Sequence, residues 1–266
     1  MTTIRKRNNI TVLGQGQQVL VFGHGFGCDQ TLWLPLIQHF EQEYKIILFD
    51  YVGAGKSDLS CYDELKYNTL EGYAKDILDV IEEMQVENVI FIGHSISSMI
   101  SLHAAIKKPH YFSKLIMIGP SPCYVNDGAY KGGFEKEEID ELLTTMEMNF
   151  AGWASYMAPM AMDEPSNSQN TRNLEHNFVS TNPRIARQFA EVTFFSDTRA
   201  YLNQLHIPTL ILQCANDSIV PVEVGTYLHE QIKPSELVVL KTRGHYPHVS
   251  DTKLAADIIQ QYLKQV

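Results

Sequence analysis

Short runs of β-branched, aliphatic and aromatic residues punctuate the chain. They are QVLVFGHG at 18–25, KIILFDYVG at 45–53, NVIFIGHS at 88–95, KLIMIGPS at 114–121, TLILQCAND at 209–217 and ELVVLKTRGH at 236–245. Most are apolar on both faces, as strands are in a parallel sheet covered by helices on each side. Segments with helical spacing lie between them, such as 70–84 and 97–107. The alternation predicts an α/β fold with a mostly parallel, doubly wound sheet. Each run leads at its C-terminal end into glycine or polar residues, at the edge where open α/β sheets build their sites.

The alternation stops between about 121 and 197. In EKEEIDELLTTMEMNF, residues Ile139, Leu142, Leu143, Met146 and Phe150 form one apolar helical stripe. The block also carries Trp153, Tyr156, Met157, Met160, Met162 and the pair Phe194–Phe195. For any single one of these residues, simple packing is the ordinary explanation. As a block they predict a helical lid, 121–197, inserted over the sheet edge of a core made of 1–120 and 198–266. Its methionines and aromatics suit the wall of an apolar pocket.

Composition narrows the function classes. A chain of 266 residues, 44% hydrophobic, buries a large core, and a net charge of -10 argues against a nucleic-acid partner. The N-terminal MTTIRKRNNITVLG has no apolar stretch behind its basic residues, and no apolar run reaches membrane-spanning length. Cys28, Cys61, Cys123 and Cys214 show no paired spacing. That argues against a disulfide framework or a zinc site and fits a reducing, cytoplasmic setting with no membrane partner.

Two motifs compete for the chemistry. DYVGAGKSD, residues 50–58, supplies Gly55, Lys56 and Ser57 after a strand, most of a phosphate-binding loop. However, the first glycine of that motif is replaced by Asp50, a carboxylate where an anion should sit. The turn-like DLSCYDELKYNT that follows provides no helix N-terminus. A glycine turn is the better reading.

The rival is GHSIS, residues 93–97, which has the strand before it and the small-residue helix after it that a nucleophile elbow requires. In such a turn a strained serine projects its hydroxyl above the sheet. Ser97, Ser98, Ser101, Ala104 and Ala105 keep the following helix slim, although Ser97 stands where the generic motif has glycine.

A serine needs a base, and the base needs an orienting acid. Asp217 follows TLILQCA and His245 follows ELVVL, so the order is Ser95, Asp217, His245, each just past a separate strand. Alone, Asp217 reads as a turn former and His245 as a surface histidine; together they read as a triad. His248, beyond Pro247, is less well placed than His245, and Asp58, Asp197 and Asp251 follow no apolar strand directly. The turn His24-Gly25-Phe26-Gly27 resembles an oxyanion loop, so the backbone N–H groups of Phe26 and Ile96 are the expected donors. His24 and His94 are then structural, bonding backbone near the site.

HGFGCDQTLW, ILFDYVGAGKSD, the GHS elbow, IGPSPCY, FFSD, ILQCANDSIVP and GHYPH together resemble the RsbQ-type α/β hydrolases. These are bacterial stress sigma-factor regulators akin to the plant karrikin and strigolactone receptors. The resemblance spans essentially the whole chain, and the GHS-x-S elbow is similar to that of plant members. It implies an α/β-hydrolase fold with a four-helix lid, the triad above, and a deep apolar pocket lined by Phe26, Phe134, Leu142, Trp153, Phe194 and Ile219. It also implies a small apolar ester or lactone as ligand and a PAS-domain phosphatase as partner in stress signalling.

Two functions follow. One is a serine hydrolase without cofactor or metal, with a cofactor-free perhydrolase as a minor branch. The other is a ligand-sensing receptor whose hydrolysis is slow or vestigial. A serine at position 95 argues against a haloalkane dehalogenase, which uses a carboxylate nucleophile there.

Overall fold

The computed structural model describes residues 2–265. Its strands are β1 (Thr11–Leu13), β2 (Val19–Gly23), β3 (Lys45–Leu48), β4 (Val89–His94), β5 (Phe112–Ile118), β6 (Thr209–Asn216) and β7 (Ser235–Arg243). They form one sheet in the order β1-β3-β2-β4-β5-β6-β7. Only β1 runs antiparallel, against β3. The six apolar runs correspond to β2–β7. β1 escapes the reading because TVL is short and no residue in it is buried.

Every residue of β2 and β4 is buried, and the period of two sorts them onto opposite faces. Leu20, Phe22, Ile90 and Ile92 join one core cluster, while Val19, Val21, Val89 and Phe91 join the other. This is why the runs look uniformly apolar rather than alternating. Short helices α1 (Ile4–Arg7) and α2 (Leu34–Ile37) precede the main ones, α3 (Leu70–Glu83) and α4 (Ile96–Lys107). After β5 come α5 (Lys136–Met148), α6 (Phe150–Met162), α7 (Gln169–Ser180) and α8 (Pro183–Phe194), then α9 (Val222–Gln231), α10 (Pro247–Ser250) and α11 (Thr252–Leu263). Trp33, Leu36, Ala255 and Ile259 cover one face of the sheet; Tyr73, Ile77, Met99 and Leu228 cover the other.

The block lacking strands, between β5 and β6, is the four helices α5–α8. Local chemistry starts them: Ser168 accepts from the Thr171 N–H at the head of α7, and Asn182 accepts from Arg184 and Ile185 ahead of α8, which has Pro183 in its first turn. In α5, Ile139, Leu143 and Met146 are buried while Leu142 is partly exposed, so the apolar stripe faces inward as its spacing requires.

The 50–58 segment is built around its own carboxylate. Asp50 is 1% exposed. It accepts from the N–H of Gln30 at 2.9 Å, the N–H of Lys56 at 2.9 Å and the side-chain amide of Asn9 at 2.7 Å. A Cβ on Gly55 would lie 2.5 Å from the same carboxylate. The donors that would cradle a phosphate already hold Asp50. Nearby, Asp76 plays a comparable role: fully buried, it accepts from Lys66, Tyr67, Asn8, Arg7 and the Val52 N–H. It thereby ties the N-terminal segment to the strand ends.

Because β3 lies to one side of β2 and β4 to the other, the strand order reverses between β2 and β4. Ligands in open α/β sheets bind at such a reversal, beyond the carboxyl ends of the strands. Here those ends are His24-Gly25-Phe26 and His94-Ser95.

Candidate active site

Ser95 sits between β4 and α4 with φ 54° and ψ −126°, a conformation rare for any residue but glycine. The chain holds it there because α4 crosses its own strand closely. A Cβ on Gly93 would come within 2.9 Å of the backbone of Ser97 and Ser98. The Ser95 N–H donates to Ile118 O at 2.8 Å, and Ser98 Oγ donates to Gly93 O at 3.0 Å. Ser95 is 6% exposed.

The loops after β6 and β7 bring the other two residues to it. His245 Nε2 lies 2.8 Å from Ser95 Oγ, and His245 Nδ1 lies 2.8 Å from Asp217 Oδ2. The other Asp217 oxygen accepts the N–H groups of Ile219 at 2.8 Å and Val220 at 3.0 Å. A carboxylate held on that side presents its free oxygen to Nδ1–H. That fixes the tautomer in which Nε2 carries the lone pair toward the serine. Gly119 leaves room for the ring: a Cβ there would lie 3.0 Å from His245 Cε1.

The rejected alternatives are engaged elsewhere. His248 is buried with its ring 4.5 Å from Trp33 and 4.5 Å from His94, and burial pushes its pKa down to about 3. Asp58 caps the turn at Ser60, and Asp197 pairs with Arg199 at the surface. His24 and His94 bond backbone as their positions predict. His24 Nδ1 lies 2.9 Å from Gly25 O, with Nε2 accepting the Tyr51 N–H at 3.2 Å. His94 Nε2 donates to the carbonyl of His245 at 2.9 Å. Burial also pushes His94 well below the usual histidine range, so it stays neutral beside His245.

Phe26 and Ile96 flank the serine. The N–H of Ile96, first residue of α4, has no intrahelical acceptor by position. The His24-Gly25-Phe26-Gly27 turn packs on the elbow: a Cβ on Gly25 would lie 2.6 Å from His94 Nδ1. Ser95 and His245 open into a narrow cavity of about 30 Å³ that Phe26, Trp153, Phe194 and Ile219 help to line. The other two pocket residues of the sequence reading lie outside its wall. Phe134 packs behind Phe194, ring centres 5.8 Å apart. Leu142 is a half-buried member of the α5 stripe packed on the core.

Sequence reasoning missed Tyr124, Met157, Phe178 and Thr193 in the same wall. Tyr124 is fully buried with its hydroxyl 3.3 Å from Ser95 Oγ, and burial raises its pKa, so the phenol keeps its proton. IGPSPCY was the available signal for it. A larger surface groove of about 620 Å³, with Glu71, His103, Phe195 and Tyr201 in its wall, contains none of Ser95, Asp217 and His245. Among the described residues no group of three or more His, Cys, Asp or Glu side chains is placed to hold a metal ion. None of the helices there is long and apolar enough to cross a membrane.

A mostly parallel sheet, a strained serine between strand and helix, and histidine and aspartate on later strand-end loops define a hydrolase of the nucleophile-elbow class. Residues 18–252 match the family described as alpha/beta hydrolase fold, and the chain belongs to that family. It is 36% identical over 264 residues to karrikin insensitive 2 receptor CA of Petunia hybrida, covering 99% of this chain and 98% of that one. It is 38% identical over 268 residues to strigolactone esterase RMS3 of Pisum sativum, covering 99% of each. Among solved structures, a hydrolase from Oleispira antarctica superposes with a TM-score of 0.96 at 39% identity, covering 99% of this chain and 97% of the other.

Proposed function

We propose that the protein hydrolyses a small carboxylic ester or lactone through an acyl-enzyme on Ser95. The observation that carries this reading is the unbroken relay Asp217–His245–Ser95, with both contacts at 2.8 Å, opening into an apolar cavity. As Ser95 Oγ attacks the substrate carbonyl, His245 Nε2 takes its proton and then delivers it to the leaving alcohol. Asp217 holds the tautomer and stabilises the imidazolium. The N–H groups of Phe26 and Ile96 receive the developing oxyanion; each such donor is typically worth about 10²–10³-fold in rate. Water deprotonated by His245 then attacks the acyl carbon and releases the acid. Residues 121–197 serve as the lid over this chemistry, and no cofactor enters the scheme.

A sensing role is the second reading. It is favoured by a relative whose name is that of a receptor. The resemblance to RsbQ-type regulators supports a cytoplasmic signalling form of it, with a PAS-domain phosphatase as partner.

Initial rates on p-nitrophenyl esters of short acids test the hydrolase reading. Wild type turns them over, and Ser95→Ala loses at least about 10³-fold, since triad members act as a unit. Equal turnover in Ser95→Ala contradicts the nucleophile assignment. A single acylation with no further turnover moves the reading to the receptor.

A further inference from the structure

The cavity above Ser95 is apolar except at a few atoms, and two of those have no partner among the described residues. Thr193 and Trp153 both line it, each is 2% exposed, and neither Thr193 Oγ1 nor Trp153 Nε1 has a hydrogen-bond partner. Buried polar groups are nearly always paired, so an orphan in a cavity wall calls for an explanation.

Thr193 is the more telling of the two. A threonine inside a helix can satisfy its hydroxyl on the carbonyl one turn back. This chain does so repeatedly among the same four helices: Thr144 donates to Asp140 O at 2.8 Å and Thr145 to Glu141 O at 2.9 Å. At the end of α7, Thr181 donates to Asn177 O at 3.2 Å. Thr193, in the last turn of α8, makes no such bond. The polar side chains that share its wall, Ser95, Tyr124, Trp153, His245 and Tyr246, make no hydrogen bond to it. For packing alone, valine of nearly the same shape would fill the position without burying a hydroxyl.

We infer that Thr193, together with Trp153, is a specificity-determining site for a second oxygen of the substrate. Resting on the hydrolase reading, this narrows the substrate class. The acid or lactone part carries, besides the scissile carbonyl, an ether, carbonyl or hydroxyl oxygen that accepts from the indole N–H and the threonine hydroxyl. A hydrocarbon substrate of the same size leaves both groups buried and unpaired. Sites built in this way discriminate against the analogue lacking the oxygen.

The test compares p-nitrophenyl pentanoate with p-nitrophenyl ethoxyacetate and 3-methoxypropanoate, which have the same acyl length with one methylene replaced by oxygen. For the full chain and for Thr193→Val, Trp153→Phe and Thr193→Ser, kcat/KM is measured on all three. Expressing each result as the ether-to-pentanoate ratio and comparing enzymes cancels the intrinsic reactivity of the esters. Thr193→Val is expected to lower that ratio by about 10-fold or more for at least one ether, the worth of a buried hydrogen bond. Trp153→Phe lowers it in the same direction, and Thr193→Ser retains it within about threefold.

Thermal unfolding gives a readout independent of substrate. Removing an unpartnered hydroxyl leaves the Tm of Thr193→Val unchanged or raised, whereas a lowered Tm means the hydroxyl has an internal partner and overturns the inference. Ratios constant within twofold across all variants overturn it as well, while leaving the hydrolase reading intact. If wild type hydrolyses none of the three esters, that reading fails and the inference falls with it.

Discussion

At position 97 a serine occupies ground that the generic elbow leaves to glycine. Its hydroxyl lies 2.5 Å from the phenol of Tyr51, and both residues are fully buried. Room for it comes from the neighbouring strand, where a Cβ on Gly23 would sit 2.2 Å from Ser97 Oγ. The departure is therefore compensated twice, by a missing side chain on β2 and by a polar partner. Ser97→Ala should leave the Tyr51 hydroxyl buried and unpaired and cost about 1–3 kcal/mol in urea unfolding. Adding Tyr51→Phe should recover part of that loss; unchanged stability in the single variant would mean the pair contributes nothing. At this scale the meeting of Ser95, Asp217 and His245 at one sheet edge was legible because each follows a strand whose apolar run marks its end. Tyr124 was marked only by the IGPSPCY motif after β5, and Thr193 by nothing, because tertiary packing alone brings the end of α8 into the cavity wall.

Helix α6 reaches the site through its C-terminal end. The last carbonyls of a helix lack intrahelical donors, and here two of them are used by the loops that carry Asp217 and His245. The His245 N–H donates to Ala161 O at 2.7 Å, and Ser218 Oγ donates to Met160 O at 2.7 Å. Arg243 and Asp163 close the contact from outside with a 2.7 Å ion pair. Between them Gly244 adopts φ 76°, and a Cβ there would lie 2.3 Å from Met162 O. The helix over the cavity and the loop that carries His245 are thus one mechanical unit. Gly244→Ala should displace His245 and lower kcat/KM on a simple ester by about 10²-fold, the usual cost of a misplacement near 1 Å. Ser95 should remain open to a small fluorophosphonate, at a reduced rate. Wild-type kinetics in this variant would show that the helix does not fix the histidine. The helical spacing of 136–150 was readable in the sequence, but the docking of α6 on the loops of Asp217 and His245 was not, since it runs through backbone carbonyls that no residue type announces.

Across the whole molecule, burial holds two histidines, His94 and His248, neutral over the range in which a free histidine ionises. Burial lowers His94 well below the ordinary range and His248 to about 3. Below pH ~6.5 the unfolded chain binds protons on these residues that the folded protein excludes. Stability therefore rises with pH up to that value and falls as pH is lowered. Each histidine contributes a slope of about 1.4 kcal/mol per pH unit, and for His248 the loss ends near its folded value of 3. Urea unfolding between pH 7 and pH 5 should show this decline, and His248→Phe should lessen it by about one proton's worth. An unaltered slope in that variant would mean His248 is protonated in the folded state. The sheet order itself was legible only in class, because parallel strands that are apolar on both faces carry no mark of which neighbour they take. The short, exposed β1 carried no strand signal at all.

In the proposed reaction Ser95 Oγ is the atom that becomes acylated. Its most direct test is rapid acid quench of the protein with p-nitrophenyl acetate, followed by intact mass and peptide mapping. One acetyl group per chain is expected, located on the peptide containing Ser95 and absent from Ser95→Ala. An acetyl group on another residue, or ester turnover by wild type with no acyl-enzyme at any quench time while Ser95→Ala proceeds at the same rate, would contradict it.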